Sequence, residues 1–313
     1  MTAWRARTRP LVENARRDYV HGNMRWTRGY NSDQVDDRRD EAPASAGLGG
    51  GSAVGILFWL FSRFGLPGVL VGGVALYLVS NMGGGSQAPA RDHVTGAGAN
   101  DPEREAVEFV SFVFDDVQKS WGERFAKQGE KYSLARLVLF RDAIGSACGL
   151  GQEAMGPFYC PGDRKVYIDL SFYRELRDRF GAPGDFAQAY VIAHEVGHHV
   201  QHLLGIDSKL RDSQRHAQGE QGASVRLELQ ADCFAGIWAQ STERRNLLEA
   251  GDVDEALRAA ASIGDDRLQR EATGKVQPES WTHGSSAERV RWFKRGFELG
   301  SMEACDTFQA PRL

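Results

Sequence analysis

A chain of 313 residues with 42% hydrophobic content is long enough for one or two folded units around a sizeable core. Its 42 acidic residues outnumber 38 Lys and Arg for a net charge of −4, and no basic stretch interleaved with aromatics offsets that, which argues against a nucleic-acid partner. None of the 36 glycines falls in a phosphate loop or dinucleotide fingerprint, so nucleotide-dependent chemistry is also disfavoured.

The first fifty residues show no sustained hydrophobic period and run into Gly47-Leu48-Gly49-Gly50-Gly51, which predicts a disordered cytosolic tail over residues 1–50. An apolar run follows from Val54 to Phe61, breaks at Ser62-Arg63, and resumes from Phe64 to Val79. A spanning helix needs about 20 apolar residues, so the run predicts one transmembrane helix over 54–80, with Arg63 near the cytosolic boundary and Pro67 in the first turn. Gly68, Gly72 and Gly73 weaken a helix in water but are common in membranes, and the Gly68 to Gly72 spacing permits close pairing in a homo-oligomer. Nine Arg precede the run, whereas Asn81 to Asn100 contains only Arg91. The charge bias therefore predicts a single-pass protein of the inner (cytoplasmic) membrane, with the N-terminus in the cytosol and the larger domain outside it. Residues 81–101 read as a flexible linker.

The remaining residues, 102–313, read as an α+β domain. Pro102 to Lys127 places Val107, Phe109, Val110, Val113, Phe114 and Val117 at helical spacing, which predicts a long amphipathic helix. Leu137 to Phe140 and Lys165 to Leu170 read as strands, with Tyr159 and Cys160 returning onto Val166 and Tyr167 across the turn Pro161-Gly162-Asp163. All four cysteines lie in this domain and none forms a CxxC zinc pattern, which favours disulfides outside the reducing cytosol. Cys148 and Cys160 bracket a Gly-rich loop of eleven residues and are the preferred pair, which leaves Cys233 for Cys305. Spacing alone leaves open the other two pairings and four packed thiols.

Two helices are predicted next, over Ser171 to Phe180 and Asp185 to Leu204. The second contains His194-Glu195-Val196-Gly197-His198 after the apolar stretch Ala189 to Ala193. Two His four residues apart project from one helical face and can share a Zn²⁺, while Glu195 is placed to handle the proton of a metal-activated water. A catalytic zinc wants three protein ligands. A third His six residues past the second, with Gly between, is not present, because Gln201 and Leu204 occupy those positions. Arg226 to Ala239 reads instead as another helix with Glu228 and Asp232 one turn apart on one face. Glu228 completes a His₂Glu site, and Asp232 can accept the free ring N–H of a ligating His. A strand beside such a helix can take an extended peptide by strand addition.

Late in the chain, His283 precedes a helix that Ser285 or Ser286 can cap. His199 and His202 read as packing or rim residues, and His21, His93 and His216 carry no motif.

From about Met24 onward the chain resembles the bacterial membrane-anchored neutral zinc metallopeptidase family. More distantly it resembles other membrane-bound proteases in which an HExxH helix is followed by a Glu-x-x-Ala-Asp helix. The resemblance rests on Arg25-Trp26, Val35 to Arg39, Ser146 to Gly149, Gly156 to Pro161, Gly181 to Gln188, His194 to His199, Leu227 to Trp238 and Thr282 to Ser285. It implies a zincin-like fold, Zn²⁺ held by His194, His198 and Glu228, and a polypeptide substrate. Related membrane proteases carry a Thr-His followed by an Arg, which makes His283 and Arg289 candidates for substrate positioning or oxyanion stabilisation. The family-like opening at Met24 leaves residues 1–23 as either an extension or sequence upstream of the true start.

The expected function is a membrane-anchored zinc endopeptidase with Glu195 as general base. The alternative is a non-catalytic, zinc-stabilised, membrane-tethered binding or assembly factor. Glu195 separates them, because a structural zinc site is closed by four ligands and has no use for an acid-base carboxylate.

Overall fold

The computed structural model describes residues 24–41, 101–152, 156–208 and 218–313. In chain order the elements are β1 (Val35–Asp37), α1 (Arg104–Lys127), β2 (Arg136–Phe140), β3 (Ala143–Ser146), β4 (Gly149–Gln152), β5 (Phe158–Cys160) and β6 (Lys165–Asp169). Then come α2 (Ser171–Asp178), α3 (Asp185–Leu203), α4 (Ala223–Arg244), α5 (Asp252–Ser262), α6 (Asp265–Thr273) and α7 (Ser286–Leu299). The result is a mixed α+β domain with a small sheet, as expected of a metallopeptidase-like unit.

Leu137, Val138, Leu139 and Phe140 are all buried, the run of apolar residues that a strand enclosed on both faces requires. β2 accordingly sits inside a four-stranded sheet ordered β1-β2-β6-β5, parallel except where β5 returns antiparallel onto β6. That return is the predicted turn, with Tyr159 opposite Val166 and Cys160 opposite Lys165. β3 and β4 form a separate hairpin.

α3 is buried around most of its circumference and forms the axis of the domain, with α1, α4 and α5 packed against it. Phe186 of α3 stacks on Trp238 of α4 at 5.6 Å. α4 and α7 meet backbone to backbone: a Cβ at Gly236 would collide with Phe293 O, and one at Gly296 with Cys233 O. Beside this contact Cys233 is bonded to Cys305, and Cys148 to Cys160, the two expected pairs. Ser285 caps α7 in a reciprocal box with Glu288.

The tail predicted over 1–50 does not hold for residues 24–41, which are built into the domain. Met24 is buried in the core, β1 pairs with β2, and Arg25 N donates to Leu247 O at 2.8 Å. Arg39 is buried between Asp37 at 2.7 Å, Asp101 at 2.6 Å and Glu103 at 3.0 Å. A three-residue strand is too short to show a period, and its ion-paired flanks read as solvated charge.

Among the described residues no helix is long and apolar enough to cross a membrane. The span predicted over 54–80, the linker up to residue 100 and the Gly68 to Gly72 pairing lie outside the described residues. β1 pairs with β2 in one sheet, so we propose that residues 24–41 and the rest of the domain lie on the same side of any membrane. Cysteines placed at the exposed Asn31 and Lys131 are therefore expected to react alike with a membrane-impermeant maleimide on intact cells. Labelling of one and not the other would contradict this.

Candidate metal centre

The centre forms where α3 crosses α4. A Cβ at Gly197 would lie 3.1 Å from Ala231 O, so glycine there lets the two helices approach. The crossing sets His194 and His198 of α3 opposite Glu228 of α4. His194 Nε2 is 3.3 Å from Glu228 Oε2, and His198 Nε2 is 3.4 Å from Oε1. One donor atom from each of the three lies within 4.8 Å of the others.

The remaining ring nitrogens are already engaged. His194 Nδ1 is 2.8 Å from Asp232 Oδ1, and His198 Nδ1 is 2.9 Å from Gln201 Oε1. Protons held at Nδ1 leave the Nε2 lone pairs facing a carboxylate, an arrangement that calls for a cation between them. The donor set therefore fits Zn²⁺ with three protein ligands. Without an ion, the same carboxylates favour a charged imidazole, whose Nε2 proton stands where a cation would bind. Burial opposes charge at His194, yet Asp232 and Glu228 outweigh it and raise its pKa to about 10. At Glu228 burial is likewise outweighed, by His198, His194 and His283, which hold the carboxyl well below the usual range.

Asp232 is fully buried, where a lone charge would be prohibitive. Burial raises its pKa, but Arg289 and His194 together hold it below the usual value. Arg289 reaches it with Nε and Nη2, both at 2.9 Å, and Nη2 also donates to Tyr190 OH at 3.2 Å. Tyr190 in turn donates to Asp232. Arg289 was expected to meet substrate or an oxyanion. It lines the cleft, and its guanidinium is buried against Asp232, because that carboxylate needs a counter-charge in a dry interior. On the His198 side, Gln201 donates to Leu227 O at 2.7 Å and Gln230 Oε1 at 3.1 Å, and Gln230 donates to Cys305 O at 3.0 Å. That chain of bonds ends at a disulfide cysteine.

A cleft of about 710 Å³ opens over the centre, lined by His194, Glu195, His198, Glu228, His283 and the β5 residues Phe158 and Tyr159. Glu195 is nearly buried in its wall. His283 is half exposed there, 3.2 Å from Asp265, whose Oδ2 also accepts from the backbone N–H groups of Thr282, His283 and Gly284. The Asp265 hydrogen bond raises the His283 pKa. His199 lies off the centre, linking Tyr159 OH at 3.0 Å to Ser133 O at 2.7 Å, and burial lowers its pKa to about 4. His202 pairs with Asp207 at 2.8 Å. His21, His93 and His216 lie outside the described residues.

Sequence reasoning missed Tyr190, Gln201 and Asp265. The first two lie four residues before His194 and three after His198, so helical spacing carried a signal for them. Asp265 is brought in by tertiary packing alone.

A family model described as "Putative neutral zinc metallopeptidase" matches residues 24–308. The chain is similar to "Uncharacterized protein YpfJ" of Escherichia coli (strain K12), 48% identical over 291 residues that cover 91% of this chain and 99% of that protein. It is also similar to "Uncharacterized protein Rv2575" of Mycobacterium tuberculosis (strain ATCC 25618 / H37Rv), 46% identical over 193 residues covering 58% of this chain and 65% of that one. No solved structure matches.

Proposed function

The chain belongs to the putative neutral zinc metallopeptidase family, and we propose that it is a membrane-attached, zinc-dependent endopeptidase working outside the cytosol. The observation that carries this reading is the pairing of a three-ligand donor set with an acid-base carboxylate, Glu195, in one open cleft.

His194, His198 and Glu228 would hold the ion, each His aimed by its own hydrogen-bond partner. When bound, Zn²⁺ supplies the Lewis acidity that makes water nucleophilic at neutral pH and polarises a scissile carbonyl. Glu195 accepts the proton of the attacking water and returns it to the leaving amine, which spares the reaction a high-energy anion. His283, on the cleft wall and favoured in its charged form by Asp265, faces negative charge that develops on the carbonyl oxygen.

A polypeptide substrate is supported by the sheet. β5 is an edge strand whose Phe158 and Tyr159 border the cleft, so an extended backbone can pair along it while its side chains reach the cavity. The two disulfides support an extracytoplasmic setting, and residues 54–80 are the proposed point of membrane attachment.

Purified protein in detergent is expected to cleave members of an unbiased peptide library, to stop on removal of metal by a chelator, and to resume on adding zinc back. Cleavage that is indifferent to the chelator would defeat the proposal.

A further inference from the structure

A second group of carboxylates lies away from the metal centre, at the N-terminal end of α3. Oxygens of Asp185, Asp252 and Glu255 lie within 4.8 Å of one another. Glu255 has a structural task there, accepting the Phe186 N–H at 3.1 Å and so capping α3 from α5. Asp252, which is fully buried, accepts the Glu249 N–H on Oδ2 at 2.8 Å and leaves Oδ1 buried with no donor. Both carboxylate oxygens of Asp185 are also buried without a donor. Three acids with three orphaned oxygens are a costly arrangement in a protein interior. Burial and mutual repulsion raise Asp185 and Glu255 to about 7, and burial raises Asp252 to about 6. Arg258 acts on Glu255 from an exposed position.

The backbone nitrogen of Met24 faces this cluster; the Phe186 N–H and, after it, the Met24 N–H lower the Asp185 pKa, neither reaching full hydrogen-bond geometry to that carboxylate. Its position is fixed from both sides. The Met24 side chain is buried in the core, and Arg25 is tied by its N–H to Leu247 O and by its guanidinium to Glu249. Inside a longer chain that nitrogen offers one neutral N–H. At a chain end it is an ammonium with three N–H donors and a positive charge, matching the three orphaned oxygens of Asp185 and Asp252.

We infer that the mature protein begins at Met24 and that its α-ammonium docks on Asp185 and Asp252, locking the N-terminal segment onto the start of the helix that carries the zinc ligands. The family match opens at this same residue. Residues 1–23 of the sequence are then absent from the working protein.

The test begins with intact-mass and N-terminal peptide analysis of protein made from its own gene with its natural upstream region. A free α-amine on Met24 is expected, and recovery of mature protein retaining residues 1–23 would overturn the inference. In detergent, the chain starting at Met24 should melt about 5 °C above the full 313-residue chain, a shift in the range expected for one buried ionic contact in a domain of this size. Chemical acetylation of that amine, or Asp185→Asn, should erase the difference. Equal melting of the two chains would overturn the inference, as would a rise in both on adding calcium, which would make the cluster a cation site.

Discussion

Replacing Glu195 by Gln is expected to leave about one zinc bound per chain while lowering peptide hydrolysis by about 10²–10⁴-fold. Gln has nearly the size and shape of Glu and keeps an acceptor oxygen, so the cleft wall survives. It cannot take a proton from water at neutral pH. Glu195 lies on the same helix as both His ligands, yet the three ligand atoms that converge come from His194, His198 and Glu228. Metal content and turnover should therefore separate in this variant. Full-rate hydrolysis by Glu195→Gln would remove its assignment as general base, and loss of zinc would make it a ligand.

The second large effect distinguishes the two carboxylates of α4, which stand one turn apart. Glu228 faces the Nε2 atoms of both His residues, whereas Asp232 touches only the Nδ1 side of His194 and is held there by Arg289 and Tyr190. Glu228→Ala is expected to abolish tight zinc binding, since two imidazoles remain. Asp232→Ala removes an outer partner and should weaken affinity or activity by about 10–100-fold. It also leaves Arg289 buried without its carboxylate, so a drop in thermal stability should accompany it. Zinc titration and melting of both variants check this. Tight binding by Glu228→Ala with complete loss in Asp232→Ala would exchange the roles.

The site was legible because its logic is helical. His194 and His198, then Glu228 and Asp232, recur at a four-residue spacing that needs only two helices and one crossing, and Gly197 marks where the helices touch. Ser285 announced the start of α7 through its box with Glu288 for the same local reason. What spacing could not carry was long-range. Nothing local shows that Arg289 is buried against a carboxylate 57 residues earlier. β3 and β4 contain Gly145, Gly149 and Gly151 and few of the branched or aromatic residues that identify strands, so they passed as a loop. β1 has three residues, and only its partner β2 makes it a strand.

The central claim is an open zinc site made by His194, His198 and Glu228, and zinc-edge X-ray absorption of the purified, zinc-loaded protein tests it most directly. Two imidazole nitrogens and carboxylate and solvent oxygens are predicted at about 2.0–2.2 Å, with no sulfur and no fourth protein ligand. A shell closed by four protein ligands, or one containing sulfur, would contradict the account and favour a structural zinc in a non-catalytic factor.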